Sequence, residues 1–121
     1  EAGLSAEVID PVSLSPLDAA TIAASVSRTG RLLVVDSAWT CCGASAEIVA
    51  RVGELLQPRA FAFRRLGFAP VPCPTTKALE QLFYPNAETI ASAAHALVHG
   101  ETSWRPPRIA TREVLEFKGP F

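Results

Sequence analysis

Apolar and polar positions change period several times along the chain, and each change marks an element. "AEVID" (6–10) is a short apolar run and reads as a strand. In the following "SLSPLDAATIAASVSRTG", Leu17, Ala20, Ala24 and Ile22, Val26 recur at helical spacing. Ser15 reads as its N-cap, Pro16 as the first helical position and Asp18 as the third, where a carboxylate suits the helix dipole. Gly30 supplies the stop. "RLLVVD" (31–36) is almost continuously apolar, the pattern of a strand buried on both faces. A loop over 37–44 leads into "SAEIVARVGELLQ" (45–57), where Ile48, Val52, Leu55 and Leu56 share a face and Pro58 ends the helix.

"AFAFRRL" (60–66) alternates Phe61 and Phe63 with small residues and reads as a third strand. "GFAPVPCPTT" carries prolines at 70, 72 and 74, which favour an extended loop. "TTKALEQLF" reads as a short helix capped by Thr75 or Thr76, and "NAETIASAAHALVHG" as a longer one capped by Asn86 and stopped at Gly100. The order β-α-β-α-β-α-α predicts a three-layer α/β/α domain with a mostly parallel sheet over residues 1–100, then a C-terminal arm over 101–121. Three strands make a thin sheet, since sheets usually carry about four to six. A further strand is expected upstream of Glu1 or in the tail.

Composition narrows the class. The chain has 121 residues, 49% hydrophobic and 19% charged, as a soluble globular domain does. A net charge of −1, with no basic cluster beyond Arg64-Arg65, excludes a nucleic-acid footprint. No apolar stretch approaches the roughly 20 residues of a membrane span, so no membrane partner is expected. The sequence has no methionine and opens Glu-Ala-Gly-Leu-Ser, which reads as an excised fragment. No signal peptide is visible in its first 20 residues. Its three cysteines fit neither a disulfide framework nor a zinc spacing, and suit a reducing, cytoplasmic setting.

Three blocks, "GLSAEVIDPVSLSPLD", "TGRLLVVDSAW" with "CGASAEIVARV", and "PVPCPTTKALEQLFYPNAETI", occur in register over about residues 3–99. In that order and spacing they resemble the C-terminal domain of transketolase-like enzymes, closest to the beta subunit of the E1 component of 2-oxoacid dehydrogenases. The family domain usually opens with a further strand and helix, absent here. The resemblance implies a parent enzyme that uses thiamin diphosphate and a divalent metal to decarboxylate a 2-oxo acid. It also implies that cofactor contacts and acid–base residues lie in a preceding domain and in an alpha subunit. The segment here would support assembly, as a homodimer or with the alpha subunit and the acyltransferase core, and would be inert alone. Two departures stand out. Pro11-Val12-Ser13 replaces the common Leu-Arg-Thr, and Ser37 with Cys41-Cys42-Gly43 replaces a common Glu and paired glycines.

The candidate chemistry centres on Ser37, Trp39, Thr40, Cys41, Cys42, Gly43 and Ser45. A loop that leaves a buried strand and opens a helix presents free N–H groups to an anion. A thiol there would have a lowered pKa. The chain could then be a stand-alone flavodoxin-like module binding a small anion at 37–45, or a thiol redox protein. The competing reading is that small residues fill a tight turn under Trp39. His95 and His99 share a helix face at metal-ligand spacing, with no third ligand apparent. Asp18 reads as a capping residue and Asp36 as a strand end. Leu79, Phe83 and Tyr84 read as closing the core rather than as a binding surface. Trp104, Leu115, Phe117 and Phe121 form a candidate partner-docking arm.

Overall fold

The computed structural model describes residues 3–107. Its elements are α1 (Ala19–Thr29), β1 (Arg31–Trp39), α2 (Ala44–Leu56), β2 (Ala62–Phe68), α3 (Lys77–Phe83) and α4 (Ala87–His99). β1 and β2 pair in parallel, from Arg31 opposite Ala62 to Val35 opposite Leu66, then Trp39 opposite Phe68 after a register irregularity. A parallel pair needs a crossover connection, and α2 supplies it. The buried centre comes from α1 (Ile22, Ala23, Val26), β1 (Val34) and α2 (Ile48, Val52), with Leu32 and Phe61 packed at its margin. α4 packs against both strands and provides the other outer layer. The result is the three-layer α/β arrangement that the alternating pattern predicts.

Helix ends follow local chemistry. α4 opens with a reciprocal capping box, in which the Asn86 side chain accepts the Thr89 N–H while the Thr89 hydroxyl accepts the Asn86 N–H. α1 and α4 end at Gly30 and Gly100, both left-handed at φ 69° and 74°, a conformation that costs glycine nothing.

Three expectations are corrected. Residues 6–10 form no strand, and among the described residues the sheet has two strands rather than three. Side chains hold this segment to α1 instead. The Glu7 carboxylate accepts hydrogen bonds from the Ser25 hydroxyl at 2.7 Å and from Arg28 Nη2 at 2.8 Å, while Ile9 leans on the core. α1 begins after Asp18, not at Pro16. Asp18 accepts the Thr21 N–H at 3.1 Å and the Thr21 hydroxyl at 2.7 Å, so it is the N-cap and Ser15 precedes the helix. β1 is not buried on both faces. Val34 is its buried residue, and Val35 is 43% exposed, because in a two-stranded sheet each strand is also an edge.

Val52 has no exposed surface at the α1–β1–α2 junction. Val52→Ala should lower unfolding free energy by about 2 kcal/mol, checked by the denaturant midpoint at an unchanged slope. The hydrogen bonds from Ser25 and Arg28 hold the Glu7 carboxyl below its ordinary 4.5. A depressed carboxylate contributes stability above its unfolded pKa and loses it as pH falls through the folded value. Glu7→Gln should therefore lose less stability than the parent between about pH 5 and about pH 2, measured by thermal midpoints. Identical acid profiles would refute the linkage.

Candidate functional site

The carboxyl end of β1 and the start of α2 bring most of the candidate loop together. Ser37, Ala38 and Trp39 belong to β1, so the connection spans 40–43 rather than 37–44. The turn is tight, and two glycines permit it. A Cβ on Gly43 would overlap the Trp39 carbonyl oxygen, and one on Gly67 of β2 would overlap the Ala38 carbonyl oxygen. Arg65, also on β2, donates to the Thr40 carbonyl at 2.6 Å and pins the turn across the sheet.

Gly43 sits at the N-cap of α2 and has no side chain to satisfy the first N–H groups. Asp36 takes over that role: its Oδ2 accepts the Ser45 N–H at 3.3 Å. Asp36 is thus more than a strand end. Its negative charge occupies the place where an anion would bind, and would repel one. Ser45 is fully buried, with its hydroxyl unpartnered.

Cys41 and Cys42 are both exposed, as is Trp39 at 54%, which corrects the reading that they fill the turn beneath the indole. Their sulfurs lie 3.8 Å apart. Cys42 is left-handed at φ 58°, a strained choice for a residue with a Cβ. Its thiol pKa is pushed up chiefly by the hydrogen bond to Cys41, then by the charge of Cys41. That reverses the lowered value expected at a helix start, because the neighbouring sulfur dominates.

The other candidates lie apart from this turn. His95 and His99 face one another, ring centroids 4.5 Å apart, on α4. His95 is buried, its Nδ1 has no partner, and Trp104 stacks on it at 4.3 Å and 10°. Trp104 therefore rests on its own α4. Leu115, Phe117 and Phe121 lie outside the described residues. Among the described residues, no three His, Cys, Asp or Glu side chains converge as a metal would require.

A surface that the sequence reading placed in the core is in fact open. Phe83 is buried and stacks on Phe68 at 4.7 Å, as expected, whereas Tyr84, edge-on to both rings, is 38% exposed and does not close the core. Leu79 and Leu82, however, are 54% and 77% exposed, as is Val71 at 52%. With Ala69, Pro74 and Phe83 they line a shallow apolar depression of about 180 Å³. Leu79 and Phe83 stand four apart on α3 and so share a helix face, and spacing alone does not separate the buried ring from the exposed leucine.

The fold has a family. Residues 1–90 match the transketolase C-terminal domain, and the chain belongs to that family. It is 39% identical over 103 residues to the acetoin:2,6-dichlorophenolindophenol oxidoreductase subunit beta of Cupriavidus necator, covering 81% of this chain and 29% of that protein. It is 40% identical over 102 residues to the mitochondrial pyruvate dehydrogenase E1 component subunit beta of Pisum sativum, covering 80% and 27% respectively. The Saccharomyces cerevisiae counterpart of the latter is 38% identical over 96 residues, covering 75% and 25%. The chain thus spans less than a third of the length of these relatives. No solved structure matches it.

The strained turn makes a paired prediction. Cys42→Gly should raise the thermal midpoint by roughly 2–5 °C, because glycine adopts the left-handed backbone freely. Gly43→Ala should lower it by at least as much, because its Cβ meets the Trp39 backbone. Calorimetric scans of both variants check the signs.

Proposed function

We propose that this chain is the assembly domain of the beta subunit of a thiamin-diphosphate-dependent dehydrogenase, and that it carries no chemistry of its own. The observation that supports this reading is the apolar face of α3 and the proline loop, where Val71, Leu79 and Leu82 stand exposed around a shallow depression. Such a surface is characteristic of a subunit contact. In this reading residues 1–100 form the domain and 101–121 an arm, of which Trp104 already lies against α4. The partners are a second beta subunit or an alpha subunit, and the acyltransferase core of a dehydrogenase complex. The setting is cytoplasmic.

The named relatives act on pyruvate and acetoin, as their names say. Both molecules are small ketones with an oxygenated carbon beside the carbonyl, so the substrate of the whole protein belongs to that class, a 2-oxo acid first. The described residues do not fit thiamin diphosphate and its metal. They offer no converging set of hard ligands, and the one helix start at a strand end is capped by the Asp36 carboxylate. In this reading the cofactor is held by other parts of the enzyme.

Leu82→Glu, placed in the complete beta subunit, should dissociate the assembly at micromolar concentration in sedimentation velocity while leaving the circular dichroism unchanged. Titration of the 121-residue chain with thiamin diphosphate and magnesium should release no binding heat. Tight cofactor binding, or an intact assembly with Glu at position 82, would overturn the reading.

A further inference from the structure

The exposed cysteine pair is not absorbed by an assembly role. Its geometry defines a two-sulfur ligand. The Sγ atoms of Cys41 and Cys42 lie 3.8 Å apart, both thiols are free, and both face solvent. The turn that presents them is held on both sides, by the Arg65 hydrogen bond to the Thr40 carbonyl and by the close packing of Gly43 on Trp39. Two sulfurs fixed at this spacing need little reorganisation to grip one atom between them.

We propose that Cys41 and Cys42 form a chelating dithiol site for thiophilic electrophiles of the trivalent organoarsenical class. In the capture step an oxide R–As=O meets the two thiols. Two As–S bonds form, the arsenic–oxygen bond breaks, and the oxygen leaves as water with both thiol protons. Arsenic stays trivalent and no electrons are transferred. The first As–S bond makes the second an intramolecular step, so the adjacent thiol acts at a high effective concentration.

Geometry separates this occupant from the alternatives. Zinc takes four ligands in a structural site, and among the described residues no third His, Cys, Asp or Glu joins the pair. A disulfide usually joins residues with Cα atoms about 4.4–6.8 Å apart, whereas adjacent Cα atoms across a trans peptide are about 3.8 Å apart. A bridging atom accepts the sulfurs near their present separation, while a direct bond must close it. An arsenic atom with one organic substituent needs two further ligands, and soft thiolates suit it. Cys73, the remaining thiol, has a phenol rather than a sulfur beside it, 3.7 Å away on Tyr84.

The test uses the reduced 121-residue chain and phenylarsine oxide, with intact-mass spectrometry, thiol counting and competition by a small dithiol. The expected result is one arsenical per chain with two thiols consumed, retained in Cys73→Ser. In Cys41→Ser and in Cys42→Ser the apparent affinity should fall on the order of 100-fold, because chelation is lost. Circular dichroism of each variant establishes that it is folded, and Cys41→Ala and Cys42→Ala serve where a serine variant is not. Sedimentation distinguishes a one-chain adduct from two chains bridged by one arsenic. Equal affinity in a single-cysteine variant, consumption of Cys73, or bridging between chains would each overturn the assignment.

Discussion

The end of β1 is the point on which the rest of the structure depends. Within a few residues the chain must leave the sheet, reverse and begin α2. Backbone meets backbone there, at Gly43 against Trp39 and at Gly67 against Ala38, with no room for a Cβ in either place. Asp36 then supplies from the strand the hydrogen-bond acceptor that Gly43 lacks at the helix start. The requirement for closeness and the requirement for a cap are thus met by different residues, and each depends on the other. Only with α2 held at this angle do Ile48 and Val52 reach Ile22, Val26 and Val34.

That constraint also explains where the functional surfaces lie. A turn pulled tight against the sheet cannot enclose its own side chains, so Trp39, Cys41 and Cys42 are left in solvent. The Asp36 carboxylate occupies the helix start, and the two free thiols stand exposed beside it. On α3 a different constraint operates. Phe83 turns inward to stack on Phe68, which anchors the end of the helix and leaves the Leu79 and Leu82 side chains exposed. The two surfaces are therefore consequences of how neighbouring elements are anchored, one polar and thiol-bearing, the other apolar. Under the proposed assembly role, the second would serve contact and the first would stay free.

Much was legible from pattern and local chemistry. The helices over 44–56 and 87–99, the parallel pairing, the Asn86 cap and the glycine stops follow from period and from backbone rules that act within a few residues. The family was legible as well, because three blocks in register cover most of the chain. The misses share a cause. Residues 6–10 have a strand's composition, but a strand exists only where a neighbour offers a ladder, and Glu7 found Ser25 and Arg28 first. Ser15 and Asp18 are both competent caps. The choice went to the residue whose carboxylate could also hold the Thr21 hydroxyl.

The sequence by itself determined the periodicity, the helix stops and the α/β class, because these rest on interactions between residues close in the chain. Tertiary structure alone decided that Asp36 caps a helix nine residues away and that Trp104 lies on His95. It also decided that Leu82 faces solvent and that two adjacent thiols stand together outside the fold. Each of those outcomes depends on which surfaces meet after the chain has folded, and exposure is a property of the packed whole that no single segment encodes.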